Sequence, residues 1–130
     1  MKRLSLREFR ALVQEVLATM PEELRQQMRN IVVDVEKEPS YEDLLDAGLT
    51  EEEIDAGETL LGLFIPWPLD TEGMDLADQP HRIIIYQRPH EEEFTDPDEL
   101  RRQVRKTVIH EVAHHFGYSD RDLERWTSVY

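Results

Sequence analysis

Length, composition and charge allow one small folded domain and exclude two classes of partner. The chain has 130 residues, 15 basic and 29 acidic side chains and a formal net charge of −14 at pH 7, so we expect a single domain over residues 1–130. Such a charge repels phosphate backbones and anionic lipid headgroups, and we therefore expect no nucleic acid and no membrane as partners.

The first predicted element is an amphipathic helix from Ser5 to Met20. Its apolar residues recur at three- and four-residue spacing, and Ser5 with Glu8 has the pattern of a capping box. Charged side chains interrupt this stretch where a signal peptide needs an unbroken apolar run, and no segment approaches the roughly 20 apolar residues that cross a bilayer. We therefore expect a cytoplasmic protein.

Short elements are predicted next. Pro21 favours a short helix over Glu22–Met28, and the alternation of apolar and polar residues from Ile31 to Glu36 predicts a strand. A second capping pattern opens a helix over Tyr41–Ala47. The acidic run at residues 51–53 is interpreted as a solvated helix start or a loop rather than a binding site.

Two more strands are predicted in the middle of the chain. The apolar run Leu60–Ile65 ends at a proline and predicts the second strand. The segment Leu69–Pro80 contains proline, glycine and aspartate and predicts a loop. His81–Arg88 contains three consecutive isoleucines between prolines and predicts a central or near-edge strand, followed by an acidic loop at residues 91–93.

A long helix is predicted towards the end of the chain. Asp96 supplies a cap, Pro97 suits the first turn, and the helix can continue to Phe116, where Gly117 can end it. A final short helix is predicted over Asp120–Tyr130. The order of elements predicts an α+β fold, with a small mixed sheet of three to four strands packed with helices.

The long helix carries two histidines four residues apart. Residues 110–120 read HEVAHHFGYSD, so His110 and His114 project side by side and can share one metal ion. The valines at positions 104, 108 and 112 and Phe116 form an apolar arc elsewhere on the helix. The sequence contains no cysteine, so a transition metal has to be held by His, Asp or Glu.

The carboxylates around this histidine pair suggest a hydrolytic centre. Glu111 lies beside the pair without pointing at the same spot, which suits a base acting on metal-bound water. The turn at Gly117 allows Asp120 to return as a third ligand, although an aspartate at this position is also a common N-cap. Asp122 and Glu124 are the nearby alternatives for the third ligand.

A structural reading competes with the catalytic one. Histidines at this spacing can be surface or packing residues, and HExxH alone occurs by chance in some chains of this length. His115 lies on the apolar arc and is interpreted as a hydrogen-bonded core histidine. His81 and His90 flank the isoleucine strand, and no spacing links them to the motif, so we interpret both as structural.

The motif resembles that of the zincin metallopeptidases. Within them it is similar to a family of short bacterial proteins with the signature HExxHHFGxxD, which His110, Glu111, His114, His115, Phe116, Gly117 and Asp120 match. The resemblance implies a minimal zincin-like fold, zinc on His110, His114 and Asp120, and Glu111 as general base. The methionine turn of metzincins is absent, since all four methionines precede the motif.

The resemblance implies a zinc-dependent metallopeptidase that hydrolyses peptide bonds of a peptide or protein substrate. Only ten residues follow Asp120, so we expect a narrow or regulated activity, with a protein partner as one way to complete the cleft. Two alternatives stay open. One is a non-catalytic, zincin-shaped interaction domain, and the other is a structural domain in which a fourth protein ligand, such as His115 or a neighbouring carboxylate, closes off the zinc.

Overall fold

The computed structural model describes residues 4–66, 81–116 and 120–127, without the side chains of residues 114, 115, 120, 123, 126 and 127. The predicted loop Leu69–Pro80 and the predicted helix end at Gly117 lie outside these residues. Within them the order of helices and strands follows the prediction, with one helix that was not predicted.

The N-terminal elements have the predicted types. Helix α1 spans Leu6–Ala18, α2 spans Glu22–Gln27, and a 3₁₀ turn leads into strand β1, Ile31–Glu36. The capping box of α1 is present. Ser5 Oγ accepts a hydrogen bond from the Glu8 backbone N–H (3.1 Å), and Glu8 Oε1 accepts one from the Ser5 N–H (2.9 Å). This pairing satisfies two N–H groups that the helix itself leaves unbonded.

Two short helices follow β1. Helix α3 spans Tyr41–Asp46 and α4 spans Glu51–Asp55, and each begins with a capping box. The acidic run at residues 51–53 is therefore a helix start. Gly48 and Gly57 follow these helices with φ of 99° and 93°, a backbone conformation that glycine adopts without strain.

A three-stranded mixed sheet is formed by the described strands. Strand β2 spans Gly62–Ile65 and β3 spans His81–Tyr86, and the strand order is β1-β3-β2. The central strand β3 pairs in parallel with β1 and antiparallel with β2. The predicted α+β fold with a small mixed sheet is confirmed, and the isoleucine strand, expected to be central or near an edge, is central.

The prediction was wrong for the residues after this strand. The strand ends at Tyr86 rather than Arg88, and helix α5, Gln87–Glu93, replaces the expected acidic loop. Pro89 is the third residue of α5. A proline is tolerated in the first helical turn because the missing N–H would have no partner within the helix.

The last two helices are α6, Pro97–Phe116, and α7, Asp120–Thr127. Asp96 Oδ2 accepts hydrogen bonds from the backbone N–H groups of Asp98 and Glu99, both at 3.1 Å, so the predicted cap of the long helix is present. Helix α6 packs against α1, α5, α7 and the sheet. No helix in the described part of the chain is both long and apolar enough to span a membrane.

The core lies between one face of the sheet and helices α1 and α6. Helix α2 adds the completely buried Leu24, and the other completely buried side chains come from these three elements: Phe9, Val13, Ile83, Ile85, Val104, Val108, Ile109 and Val112. Phe116 departs from the predicted apolar arc because it is 38% exposed. As the last residue of α6, it lies one turn beyond Val112, where the buried arc ends.

Candidate metal centre

Helix α6 separates a core face from a face that carries the motif. Val104, Val108 and Val112 are completely buried, whereas His110 is exposed. The two faces follow from helical geometry, because residues four apart lie within about 40° of each other around the axis. His110 therefore points away from the core, as the periodicity predicts.

The backbone of α6 brings both histidine positions to the same side. Residues 110 to 116 are helical without interruption, so His110 and His114 are separated by about 6 Å along the axis. Asp120 is the first residue of α7, which packs against α6. Three residues separate the helices, so its Cα lies within about 14 Å of that of Phe116. The side chains of His114 and Asp120 lie outside the described residues.

Glu111 is half-buried beneath strand β2. A Cβ atom built on Gly62 would lie 3.5 Å from Glu111 Cγ and 2.7 Å from Thr107 Cγ2. Backbone and helix approach this closely only because position 62 has no side chain. Gly62 thus allows the edge strand to lie directly over the turn of α6 that carries the motif. The only sequence signal for this contact was a glycine within an apolar run.

A buried histidine of α5, His90, contacts the turn of α6 that precedes His110. His90 is completely buried, with Nδ1 2.7 Å from the Tyr86 carbonyl oxygen and Nε2 2.9 Å from Thr107 Oγ1. A carbonyl only accepts, so Nδ1 carries the proton of the neutral ring and Nε2 is an acceptor. The one proton of the Thr107 hydroxyl serves both Nε2 and the Gln103 backbone oxygen, which is also 2.9 Å away. Burial lowers the pKa of His90 to about 4, and the hydrogen bond to Tyr86 opposes this shift only in part.

His90 is the structural histidine that was expected near the isoleucine strand, whereas its partner Thr107 was missed. The only sequence signal for Thr107 was a hydroxyl among the aliphatic residues of α6, three positions before His110. His81 is half-buried and packs its ring on Phe64 with centroids 5.6 Å apart. The side chain of His115 lies outside the described residues, so its predicted core role stays a prediction.

A second hydrogen bond, between a buried tyrosine and a half-buried aspartate, joins the sheet to α3. The completely buried Tyr86 donates from its hydroxyl to Asp43 Oδ2 at 2.9 Å. Burial raises the pKa of Tyr86, and the hydrogen bond to Asp43 raises it further. The charge of Glu111 adds to the same shift, which places that carboxylate within electrostatic range of the Tyr86 hydroxyl. The phenol therefore stays protonated at neutral pH.

The alternative third ligands differ in their surroundings. Asp122 Oδ1 lies 3.6 Å from Arg125 Nη2, and the same nitrogen lies 3.1 Å from Glu23 Oε2. These ion pairs link α7 to α2. Glu124 is exposed. Neither observation places the carboxylate of Asp122 or of Glu124 at the turn that carries His110.

The donor set has the chemistry of a zinc site. Imidazole nitrogens and a carboxylate are ligands that zinc accepts, and two histidines on one helical turn are a common arrangement. Among the side chains that the structure describes, no group of three His, Asp or Glu residues could hold a metal ion. Two of the three predicted ligands lie outside that set, so the full site stays a prediction.

Comparison with known proteins identifies the family. The sequence profile of the zincin-like metallopeptidases matches residues 28–128. The chain belongs to this family. This zincin-like protein is also similar in structure to a conserved hypothetical protein from Thermus thermophilus, with a TM-score of 0.58 and 22% identity over 87% of this chain and 94% of the other. That similarity shows the fold alone. No curated protein matches.

Proposed function

We propose that this protein is a zinc-dependent peptidase whose metal is held by His110, His114 and Asp120. The observation that carries the proposal is the exposed His110 on the face of α6 opposite the core, with Glu111 beside it under β2. The family match agrees with this chemistry. Zinc in such a site acts as a Lewis acid and lowers the pKa of coordinated water to about 7.

Glu111 is the general base in this proposal. Its carboxylate accepts the proton of the attacking water and returns it to the leaving amine when the peptide bond breaks. The close approach of Gly62 to its Cγ limits where this side chain can move. A base held in one orientation loses less entropy in the reaction than a mobile one, which favours catalysis.

Strand β2 lies next to the motif, because Gly62 comes close to the Glu111 side chain. We infer that a substrate peptide passes beside this strand to reach the proposed metal centre.

The catalytic part of the proposal is tested with purified protein loaded with zinc and a mixture of peptides of varied sequence. Cleavage is followed by mass spectrometry for the wild type, Glu111→Gln and the control Glu99→Gln, which changes an exposed glutamate at the other end of α6. We expect products from the wild type and the control and none from Glu111→Gln. Equal cleavage by all three would refute the role of Glu111.

The metal ligands are tested separately by metal analysis. We expect about one equivalent of zinc in the wild type and in Glu111→Gln, and much less in His110→Ala. Undiminished zinc in His110→Ala would contradict the ligand assignment. Zinc binding without cleavage of any peptide would favour the alternative of a non-catalytic, zincin-shaped interaction domain.

A further inference from the structure

A cavity of about 440 Å³ lies between the C-terminal end of α1 and the N-terminal half of α6. Val16 and Ala18 contribute apolar wall from α1, and Arg101, Arg102 and Arg105 line it from α6. The volume is within the range of small-molecule sites. These arginines precede His110 by five to nine residues, which is about 7.5–13.5 Å along the helix. The cavity is therefore separate from the candidate metal centre.

The arginines extend from solvent to the interior. The side chain of Arg101 is 57% exposed, whereas Arg105 is 4% exposed. Arg105 Nη1 donates to the backbone oxygen and to Oγ1 of Thr19, both at 3.1 Å. These two bonds fix the position of a guanidinium group at the buried end of the cavity. A group that is fixed before binding loses little entropy when a ligand arrives.

The charge of this cavity is opposite to that of the whole protein. Among the described residues, its lining contains three arginines and one acid, Glu15, which gives a charge of 3 − 1 = +2 in a chain of net charge −14. Glu15 lies 3.3 Å from Arg101 and partly neutralises it. Arginine is suited to carboxylates and phosphates, because its planar fork donates two parallel hydrogen bonds to two oxygens.

We propose that this cavity binds an anionic ligand with an apolar body, in which a carboxylate or phosphate contacts the arginines and the body packs on Val16 and Ala18. This site is additional to the proposed peptidase centre and does not depend on it. Since α1 and α6 both contribute to the lining, the ligand also links the two helices that cover the sheet.

The test is an NMR titration of ¹⁵N-labelled protein, observing backbone amides and the Nε–H groups of arginine. The probes are N-acetyl-leucine, its neutral amide N-acetyl-leucinamide, and phenyl phosphate. We expect the acid to bind with a dissociation constant of roughly 1 mM, as its size allows, and the amide to bind at least tenfold more weakly. Phenyl phosphate distinguishes a phosphate site from a carboxylate site.

Variants assign the binding to the arginines. Arg102→Gln should weaken the binding of the acid about tenfold, since a charge-assisted hydrogen bond is lost. Glu15→Gln should strengthen it, because a competing carboxylate is removed. Arg88→Gln is the control, since that side chain is 43% exposed and lies near Glu38 instead. Arg102 and Glu15 are both exposed, so these variants should fold even where a change at Arg105 does not.

Two results would overturn the proposal. One is equal binding of the acid and the amide, because the site would then not recognise charge. The other is an unchanged affinity for the anionic probes in Arg102→Gln. Binding of either anionic probe that weakens in Arg102→Gln and persists in Arg88→Gln supports the proposal, and the tighter probe identifies the preferred anion.

Discussion

Replacing Gly62 with alanine adds a methyl group where β2 crosses α6. The new carbon would lie 2.7 Å from Thr107 Cγ2 and 3.3 Å from the Ile84 carbonyl oxygen. Carbon atoms pack best at about 3.5–4.0 Å, so the two methyl groups would overlap by about 1 Å. Thr107 cannot easily turn away, because its Oγ1 lies 2.9 Å from both His90 Nε2 and the Gln103 backbone oxygen.

The change in the free energy of unfolding is the difference between the cost of overpacking and the gain from a more restricted unfolded chain. Overpacking a filled site costs about 1–3 kcal/mol. Replacing glycine by alanine restricts the unfolded chain and returns about 0.4–1 kcal/mol where the native backbone accepts a side chain. Gly62 is outside the left-handed region, so this gain applies. We expect Gly62→Ala to lower the free energy of unfolding by about 1–2 kcal/mol.

A double-mutant cycle measured by urea unfolding tests the cause. Thr107→Ser removes the clashing methyl group, keeps the hydroxyl, and should cost about 1 kcal/mol by itself. In the double variant the alanine methyl occupies the space left by the threonine methyl, so the combined cost should fall short of the sum by at least about 1 kcal/mol. Additivity within about 0.5 kcal/mol would refute the proposed contact.

Two further predictions concern hydrogen bonds of buried side chains. The pKa of His90 falls from 6.5 to about 4 on folding, so the unfolded chain takes up a proton first as the pH falls. The stabilisation by neutral His90 is complete above pH 6.5 and decreases by up to about 3 kcal/mol as the pH falls to 4. Urea unfolding across this range should show a shallower decline for His90→Gln, and parallel curves would contradict the assignment. Tyr86→Phe should cost about 1.5–2 kcal/mol, because it removes the hydrogen bond from a buried tyrosine to the carboxylate of Asp43. Tyr41→Phe is its control, since it removes a similar bond to Glu51 from a tyrosine that is 48% exposed. That variant should lower the free energy of unfolding by less than about 0.5 kcal/mol. Equal costs for the two variants would refute the role of burial.

The parts of the fold that depend on local signals could be predicted from the sequence. The capping boxes at Ser5 and Ser40 and the cap at Asp96 lie within three residues of the N–H groups they bond, so the letters alone give the helix starts. Helix α5 could not be predicted in this way. Its proline and acidic residues are typical of a loop, and its fixed position depends on His90, which bonds to the distant Thr107.

In the candidate site, too, the local features could be predicted from the sequence and the contacts between distant residues could not. The spacing of His110 and His114 is a property of one helix, and the structure confirms that helix and the exposed position of His110. The contact of Gly62 with Glu111 joins a strand to a helix far along the chain, and no spacing rule connects them. The cavity lined by the three arginines could not be predicted either, because its other wall comes from α1.

The central place of β3 determines when the sheet can form during synthesis. Both neighbouring strands hydrogen-bond to β3 and not to each other. A nascent chain that ends before His81 therefore carries two strands whose edges lack their partner. Apolar side chains such as Val35 and Phe64 then remain uncovered until the ribosome has added strand β3. Uncovered apolar side chains and unpaired strand edges favour aggregation. Faster translation up to residue 86 shortens the time for which the two outer strands lack their partner.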